Sequence, residues 1–386
     1  MHWSSEVGRT AFDIADIVRR HREALERSQP LASVQARALS AIALCRTAAL
    51  GGHVNFCPDC GWREEPSYNS CRNRNCPKCQ ALAQERWLAN RSEAILRIPH
   101  YHAVFTLPED LRLVCRKYPR ELYGALFQSA SEALLELARS RLGVTLGLTL
   151  VLHTWTRDLR FHPHVHILVS AGGLTLDGSG FKHIPQKFLL PRKPLAKLFR
   201  GKMLDALRKL RSMGKLSLTA GAFGALMASL VSQDWGVYLK RAFRSPDFVL
   251  AYLGRYTHRI GIANSRLLSV TEEAVTFRTK DGRAVSLTPV TFLQRFIQHI
   301  LPDRFKKIRH TGLYGSPKAL ATAKHLLGTI PSEPKQVLSW EEALAALTGR
   351  DVTRCCNCGS TVCRSVLPPL APFLGRAGRS GSRSPP

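Results

Sequence analysis

The amino-acid sequence predicts an α+β fold. Three observations lead there: stretches whose apolar residues recur every three to four positions, stretches where they alternate, and a Cys-, Asn-, Arg- and Pro-rich segment with neither period. In segment 1–50, Ile14, Ile17 and Val18, then Leu39, Ile42 and Leu44, keep helical spacing on either side of Gln29-Pro30, which predicts two helices. Segment 51–96 carries the Cys-rich run, as expected where a metal replaces a core. Segment 97–315 is the main domain. Its predicted elements are a strand over Tyr101–Leu107, an amphipathic helix over Arg120–Leu142, a strand over Leu148–Trp155 and a second strand through Phe161–Val169. The glycine pair Gly172-Gly173 and a basic stretch from Lys182 to Lys215 follow. A strand at Trp235–Lys240 then leads to a helix bearing Tyr252 and Tyr256, and Val270–Leu287 alternates around Asp281-Gly282 as a hairpin does. Segment 316–365 is a C-terminal region with four cysteines, and 366–386, rich in Pro, Gly, Ser and Arg, is expected to be disordered.

Charge narrows the function. The 386 residues hold 56 Lys and Arg against 28 Asp and Glu, a formal charge of +28, which calls for a polyanionic partner, nucleic acid first among them. A hydrophobic share of 45% excludes a largely disordered chain. Eleven cysteines in a chain of this length, behind an N-terminus that does not read as a signal peptide, are expected to be reduced and metal-binding in the cytoplasm. Leu216–Gln233 carries only uncharged side chains but is dominated by Gly, Ala, Ser and Thr, so a packed segment is expected there and no membrane span.

Cys57-Pro58-Asp59-Cys60 and Cys76-Pro77-Lys78-Cys79 are two C-x2-C knuckles, each a short turn that aims two thiolates at a tetrahedral centre. Cys57, Cys60, Cys76 and Cys79 are therefore the expected structural zinc ligands, with Cys71 or His53 able to substitute or extend the site. Arg63, Arg72 and Arg74, interleaved with Trp62 and Tyr68, supply charge and stacking surface for DNA. Farther on, Cys355, Cys356, Cys358 and Cys363 contain one C-x2-C pair, Cys355 with Cys358, and lack a second; metal binding there stays open.

In Phe161-His162-Pro163-His164-Val165-His166 the histidines alternate, so a strand presents them on one face while Val165 anchors the other. His164 and His166 thus form half of a divalent-metal site open to a phosphate oxygen and water. His162 shares their parity, and His153 would face His164 in one of the two hairpin registers, so either could be the third ligand. Tyr252 and Tyr256 stand four apart, one helical turn, with Arg255 and Arg259 close to the same face and able to hold flanking phosphates. A tyrosine with a pKa of about 10 needs help to act as a nucleophile at neutral pH, and a metal that polarises a phosphate provides it.

With these residues the chain resembles the HUH rolling-circle transposases of bacterial insertion sequences, the two-tyrosine group numbered ninety-one. An ordered set of motifs carries the resemblance: Tyr68-Asn69-Ser70-Cys71-Arg72-Asn73-Arg74-Asn75-Cys76-Pro77-Lys78-Cys79, then Phe105-Thr106-Leu107-Pro108, His153-Thr154-Trp155, His162-Pro163-His164-Val165-His166 and Tyr252-Leu253-Gly254-Arg255-Tyr256-Thr257-His258-Arg259. It implies an HUH nuclease core with a central antiparallel sheet flanked by helices, the histidines on a central strand and the tyrosines on a helix across it. It implies Mg²⁺ or Mn²⁺ on His164 and His166, and covalent joining of Tyr252 and Tyr256 to the 5′ phosphate of nicked single-stranded DNA at insertion-sequence ends and targets. Strand transfer would need no ATP, in keeping with the lack of a G-x4-G-K-[ST] sequence, and unwinding would come from a host helicase or replication.

Two other classes compete. A zinc-dependent DNA-binding regulator without catalysis, or a decayed transposase, explains the cysteines and the charge but leaves the histidine strand and the tyrosine pair idle. An amidohydrolase using an H-x-H strand would need a (β/α)8 barrel with further ligands along it.

Overall fold

In a computed structural model of the chain, residues 12–79, 94–185, 189–243, 261–279, 281–328, 342, 345, 349 and 351–370 are described. The chain forms two compact units, Met1–Cys79 with Ser332–Pro386, and Gln80–Pro331.

In the first unit, Asp13 caps helix α1 (Ile14–Ser28) through its carboxylate, which accepts from the Ala15 amide at 3.0 Å. Helix α2 (Ser33–Leu44) follows Pro30, which cannot continue α1. The two helices pack together, burying Ile14, Ile17, Val18 and Leu25 of one and Leu39 and Ile42 of the other. Strand β1 (Gly52–Phe56) is the centre of a small antiparallel sheet between β2 (Ser67–Tyr68) and a strand at Cys363–Leu367. The register runs Gly52↔Leu367 to Phe56↔Cys363. This corrects two boundaries. The C-terminal cysteine region belongs with the N-terminal module, because its backbone satisfies the free edge of β1. Val366 and Leu367, expected to open a disordered tail, pair with His53 and Gly52; 371–386 lie outside the described residues.

The second unit is built on strands β3 (His100–Thr106), β4 (Val144–Trp155), β5 (Phe161–Thr175), β6 (Phe181–His183) and β7 (Val237–Phe243), with helices α3 (Leu111–Lys117), α4 (Pro119–Leu142), α5 (Arg192–Ser212) and α6 (Ala220–Ser232) between them. After these come β8 (Leu267–Val270), β9 (Val275–Arg278), β10 (Ala284–Leu287), α7 (Pro289–Ile297), β11 (Ile308–Gly312) and α8 (Pro317–Leu326). The main sheet has the order β11-β4-β5-β3-β7 with β6 on β5, every pair antiparallel, and the histidine strand β5 at its centre. The expected hairpin is a three-stranded sheet, β8-β9-β10.

Strand alternation gives the main sheet two faces. Tyr101, Ala103 and Phe105, Leu148, Leu150 and Leu152, and Val165, Ile167 and Val169 point into the main core, where α4 and α5 cover them through Leu126, Leu134, Phe199 and Leu207. On the opposite face Val151 and Leu168 join Leu313, Tyr314 and Ala323 in a smaller cluster. The glycine pair does not end β5: a Cβ on Gly173 would lie 2.4 Å from the Thr145 carbonyl oxygen, so glycine there lets two long strands approach and continue. In the uncharged segment, Phe223 and Leu230 of α6 are buried, and no helix among the described residues is long and apolar enough to cross a membrane.

Candidate functional site: a histidine cluster and two cysteine tetrads

The register of β4 on β5 decides the histidine set, because residues paired across two strands share a face. His153 pairs with His164, and Val151 with His166. His153, His164 and His166 consequently bring one ring nitrogen each within 4.8 Å of the others. His162, the other candidate, does not join them: its ring nitrogen accepts from Arg112 at 3.4 Å, and its carbonyl oxygen accepts from His164 Nδ1 at 2.7 Å. That second bond fixes the tautomer. With the proton on Nδ1, His164 presents the Nε2 lone pair, which faces Nε2 of His166 at 3.1 Å.

Sequence reading missed His102. Strand parity puts it on the histidine face, since His102 pairs with Leu168 and the next residue of that parity, Val104, pairs with His166. Its Nε2 lies 2.9 Å from His166 Nδ1, with the rings stacked at 5.1 Å. If His166 donates from Nδ1 and His102 accepts, His166 keeps its own Nε2 lone pair turned toward His164. The available signal was strand parity, two alternations back from Thr106 to His102. Burial pushes His164 down to about 4, and burial, helped by Lys240 and His164, does the same for His102. His162 is lowered by burial and by Arg112 and Arg160. Neutral imidazoles keep the lone pairs free at neutral pH.

Beside the start of β5 lies a groove lined by Arg112, Arg116, Arg160, Arg295, Gln294 and Gln298. Arg116 sits over the Phe161 ring at 5.2 Å and donates to Gln298 at 3.1 Å, while Arg295 donates to the Asp158 carbonyl oxygen at 3.0 Å. Tyr252, Tyr256, Arg255 and Arg259 lie outside the described residues.

The cysteines differ most from expectation. Cys57, Cys60, Cys76 and Cys79 do not converge on one point; they divide between two tetrads, Cys45, Cys71, Cys76 and Cys79 in one and Cys57, Cys60, Cys355 and Cys358 in the other. Spacing alone permits a shared ion but does not require one. Here the knuckle at Cys57 closes the end of β1, whose partner strand brings in the C-terminal cysteines, while the knuckle at Cys76 meets the end of α2, where Cys45 is the C-cap residue. Cys71, expected as a fifth thiol, is a full member of the first tetrad. Cys45 was missed because a lone cysteine ending a helix carries no spacing signal. His53 is in neither tetrad; it lies in β1 opposite Val366 and Ser67.

In the first tetrad the sulfurs of Cys45 and Cys79 are 3.5 Å apart and those of Cys71 and Cys79 3.7 Å. Thiol hydrogen bonds from Cys45, Cys71 and Cys76 drive Cys79 strongly down, those from Cys71 and Cys76 bring Cys45 to about 7, and Cys71 and Cys76 are pushed up in turn. Four sulfurs gathered within 4.8 Å of one another suit a cation, which would hold all four as thiolates. Arg72 and Arg74 are exposed on the loop between these ligands, Arg72 with a positive φ of 51°.

Comparison with known proteins places this geometry. Residues 147–320, which hold most of β4, all of β5 and the tyrosine pair, match a family model described as “Putative transposase”, and residues 17–107 match one described as “Transposase zinc-binding domain” of the IS91 type. The chain is 38% identical over 375 residues to “Putative transposase y4qJ” of Sinorhizobium fredii, covering 91% of this chain and 94% of that protein. The chain belongs to the IS91-type transposase family. It is also 30% identical over 308 residues to the transposase for insertion sequence element IS801 of Pseudomonas savastanoi pv. phaseolicola, covering 76% of this chain and 73% of the relative. No solved structure matches the transposase. As expected of the family, it is an α+β protein with an N-terminal zinc module, and its cysteine clusters support structural zinc.

Proposed function

We propose that this transposase is a metal-dependent HUH endonuclease and strand transferase. It cleaves and rejoins single-stranded DNA at the ends of an insertion sequence and at its target, through 5′-phosphotyrosine linkages, in rolling-circle transposition. The support is the convergence of His153, His164 and His166 on one sheet face within a chain of transposase family.

The three imidazoles fit a divalent cation. Two nitrogens about 2.1 Å from one ion would stand roughly 3.0 to 3.4 Å apart, and the facing Nε2 atoms are 3.1 Å apart. An all-nitrogen set favours Mn²⁺ over the oxygen-seeking Mg²⁺. Held there, the ion would polarise the scissile phosphate and stabilise charge developing on it.

The rest falls to the chain's own residues. His162, through its carbonyl, and His102, through its ring, orient the ligand rings. The hydroxyl oxygen of Tyr252 or Tyr256 attacks phosphorus in line; the P–O3′ bond breaks, the tyrosine proton is lost and the departing 3′ oxygen gains one. The DNA 5′ phosphate is then esterified to tyrosine, and attack by a 3′ hydroxyl of another strand reverses the step and releases the tyrosine. Each exchange keeps one phosphodiester-type bond, so no ATP is consumed. Arg255 and Arg259 hold flanking phosphates, the arginines lining the groove beside β5 carry the strand toward His164, and Arg72 and Arg74 bind DNA from the zinc module. Because the enzyme acts on single strands, a host helicase or the replication machinery exposes them.

Incubating full-length protein and Mn²⁺ or Mg²⁺ with labelled single-stranded oligonucleotides tiled across the element's ends tests this on a denaturing gel. A protein-linked product lost in the double variant Tyr252→Phe, Tyr256→Phe and in His164→Ala is expected. Tight DNA binding by metal-loaded, folded protein that yields no adduct with any oligonucleotide would instead support the non-catalytic regulator.

A further inference from the structure

We propose that Cys57, Cys60, Cys355 and Cys358 form a second tetrathiolate zinc site, which ties the C-terminal segment to the N-terminal module as one zinc ribbon. The matched zinc-binding domain spans 17–107 and so includes neither Cys355 nor Cys358.

The first argument is that the two knuckles are built alike. Cys57-Pro58-Asp59-Cys60-Gly61 and Cys355-Cys356-Asn357-Cys358-Gly359 are the same turn at two places. In each the amide of the first cysteine donates to a carbonyl five residues on, Trp62 at 2.8 Å and Ser360 at 2.7 Å. In each the glycine amide donates back to the first cysteine's carbonyl, at 3.1 and 3.0 Å, and that glycine has a φ of 75°. Each turn is flanked by an isolated bridge, Phe56↔Arg63 and Arg354↔Thr361. Such a turn points both sulfurs the same way, toward one ion.

Sulfur spacing supplies the second argument. Cys57 and Cys358 are 3.5 Å apart and Cys60 and Cys355 3.6 Å, far beyond the ~2.05 Å of a disulfide. Four sulfurs at ~2.3 Å from zinc stand about 3.8 Å apart at the corners of a tetrahedron. The pairs run between the knuckles, so one ion would cross-link them.

The third argument is that, among the described residues, the segment buries little apolar surface. Along the strand Cys363–Leu367 the first four residues are exposed, Val366 at 77%, and the polar contact of Arg364 with Asn55, at 3.0 Å, is exposed as well. Backbone pairing with β1 without an apolar face is marginal, and Cys60 and Cys355 are 295 positions apart, a long loop to close. A metal supplies what the missing core does not. Cys356 and Cys363 are exposed and outside the tetrad, so they are the controls.

The test is zinc stoichiometry of the full-length, reduced His164→Ala protein, in which the histidine cluster is dismantled, by elemental analysis, with parallel Co²⁺ substitution to read thiolate-to-metal charge transfer. Two zinc ions per chain and a charge-transfer band that saturates at two equivalents are expected. Cys355→Ser with Cys358→Ser should lower both readings to one, as should Cys76→Ser with Cys79→Ser, while Cys356→Ser with Cys363→Ser should leave two. One zinc in the parent, or two retained in the Cys355→Ser, Cys358→Ser variant, would overturn the site. If that variant does not fold, Cys358→His keeps a ligand and is expected to hold two zincs with a weaker charge-transfer band; an unchanged band would likewise overturn the site.

Discussion

The two units solve the same problem with opposite materials. In the unit around β4 and β5, fully buried Tyr101, Phe105, Leu150, Val165 and Phe199 hold a sheet between helices, and the histidines take their places from that packing. In the other unit α1 and α2 share a small apolar core, but around β1 most residues between Pro58 and Tyr68 and between Asp351 and Leu370 are exposed, and eight cysteine sulfurs gathered in fours stand in place of one. An apolar core can be read from periodicity because it is spread along every element. A metal-bound one depends on a few side chains whose partners can be anywhere in the chain.

Metal removal should separate the units most sharply. Structural zinc sites are worth about 10–16 kcal/mol of apparent binding free energy at neutral pH, so a strong chelator should unfold 45–79 and 351–370 while amides of β4 and β5 stay protected, as hydrogen exchange with mass spectrometry would read. Equal loss of protection in both units would break the contrast. The reverse perturbation is Phe105→Ala, which removes a fully buried ring and its edge contact with Phe199. It should cost about 3–5 kcal/mol, lower the melting temperature of the sheet unit and leave the zinc content unchanged.

A smaller change should follow from His102→Ala. Losing an orienting partner typically weakens a metal site about 10- to 100-fold, so Mn²⁺ affinity measured by calorimetry should fall by that factor, whereas His162→Ala, which keeps the carbonyl that orients His164, should do much less. The smallest effect concerns pH. His299, buried between the Thr154 hydroxyl and the Leu159 carbonyl, is pushed down to about 4 by burial. The unfolded chain, with an ordinary histidine near 6.5, binds more protons than the folded one between those values. Stability of the sheet unit is therefore full above pH ~6.5 and falls as pH drops toward 4. Denaturant titrations at pH 7 and 5 should show that loss, reduced in His299→Gln.

How much was legible follows the same division. The period-two run from His162 to Val169 and the helical spacing between Arg120 and Leu142 announce a strand and a helix because local pattern suffices. The choice between His153 and His162 needed the strand register, and register is a property of two strands. Cys45 and the pairing of Cys57 with Cys358 were invisible because one ligand ends a helix and the other lies 301 positions away. The knuckles were seen correctly as turns; what spacing could not say was which turns face each other.

The pairing of β1 with Cys363–Leu367 also sets a timetable for synthesis. At roughly 5–20 residues per second on the ribosome, the 295 positions between Cys60 and Cys355 separate the two halves of that sheet by about 15–60 s. By the end of that interval every strand of the main sheet has been made, while among the described residues β1 still has only β2 beside it, through two paired residues. The part of the chain made first is thus among the last to be finished.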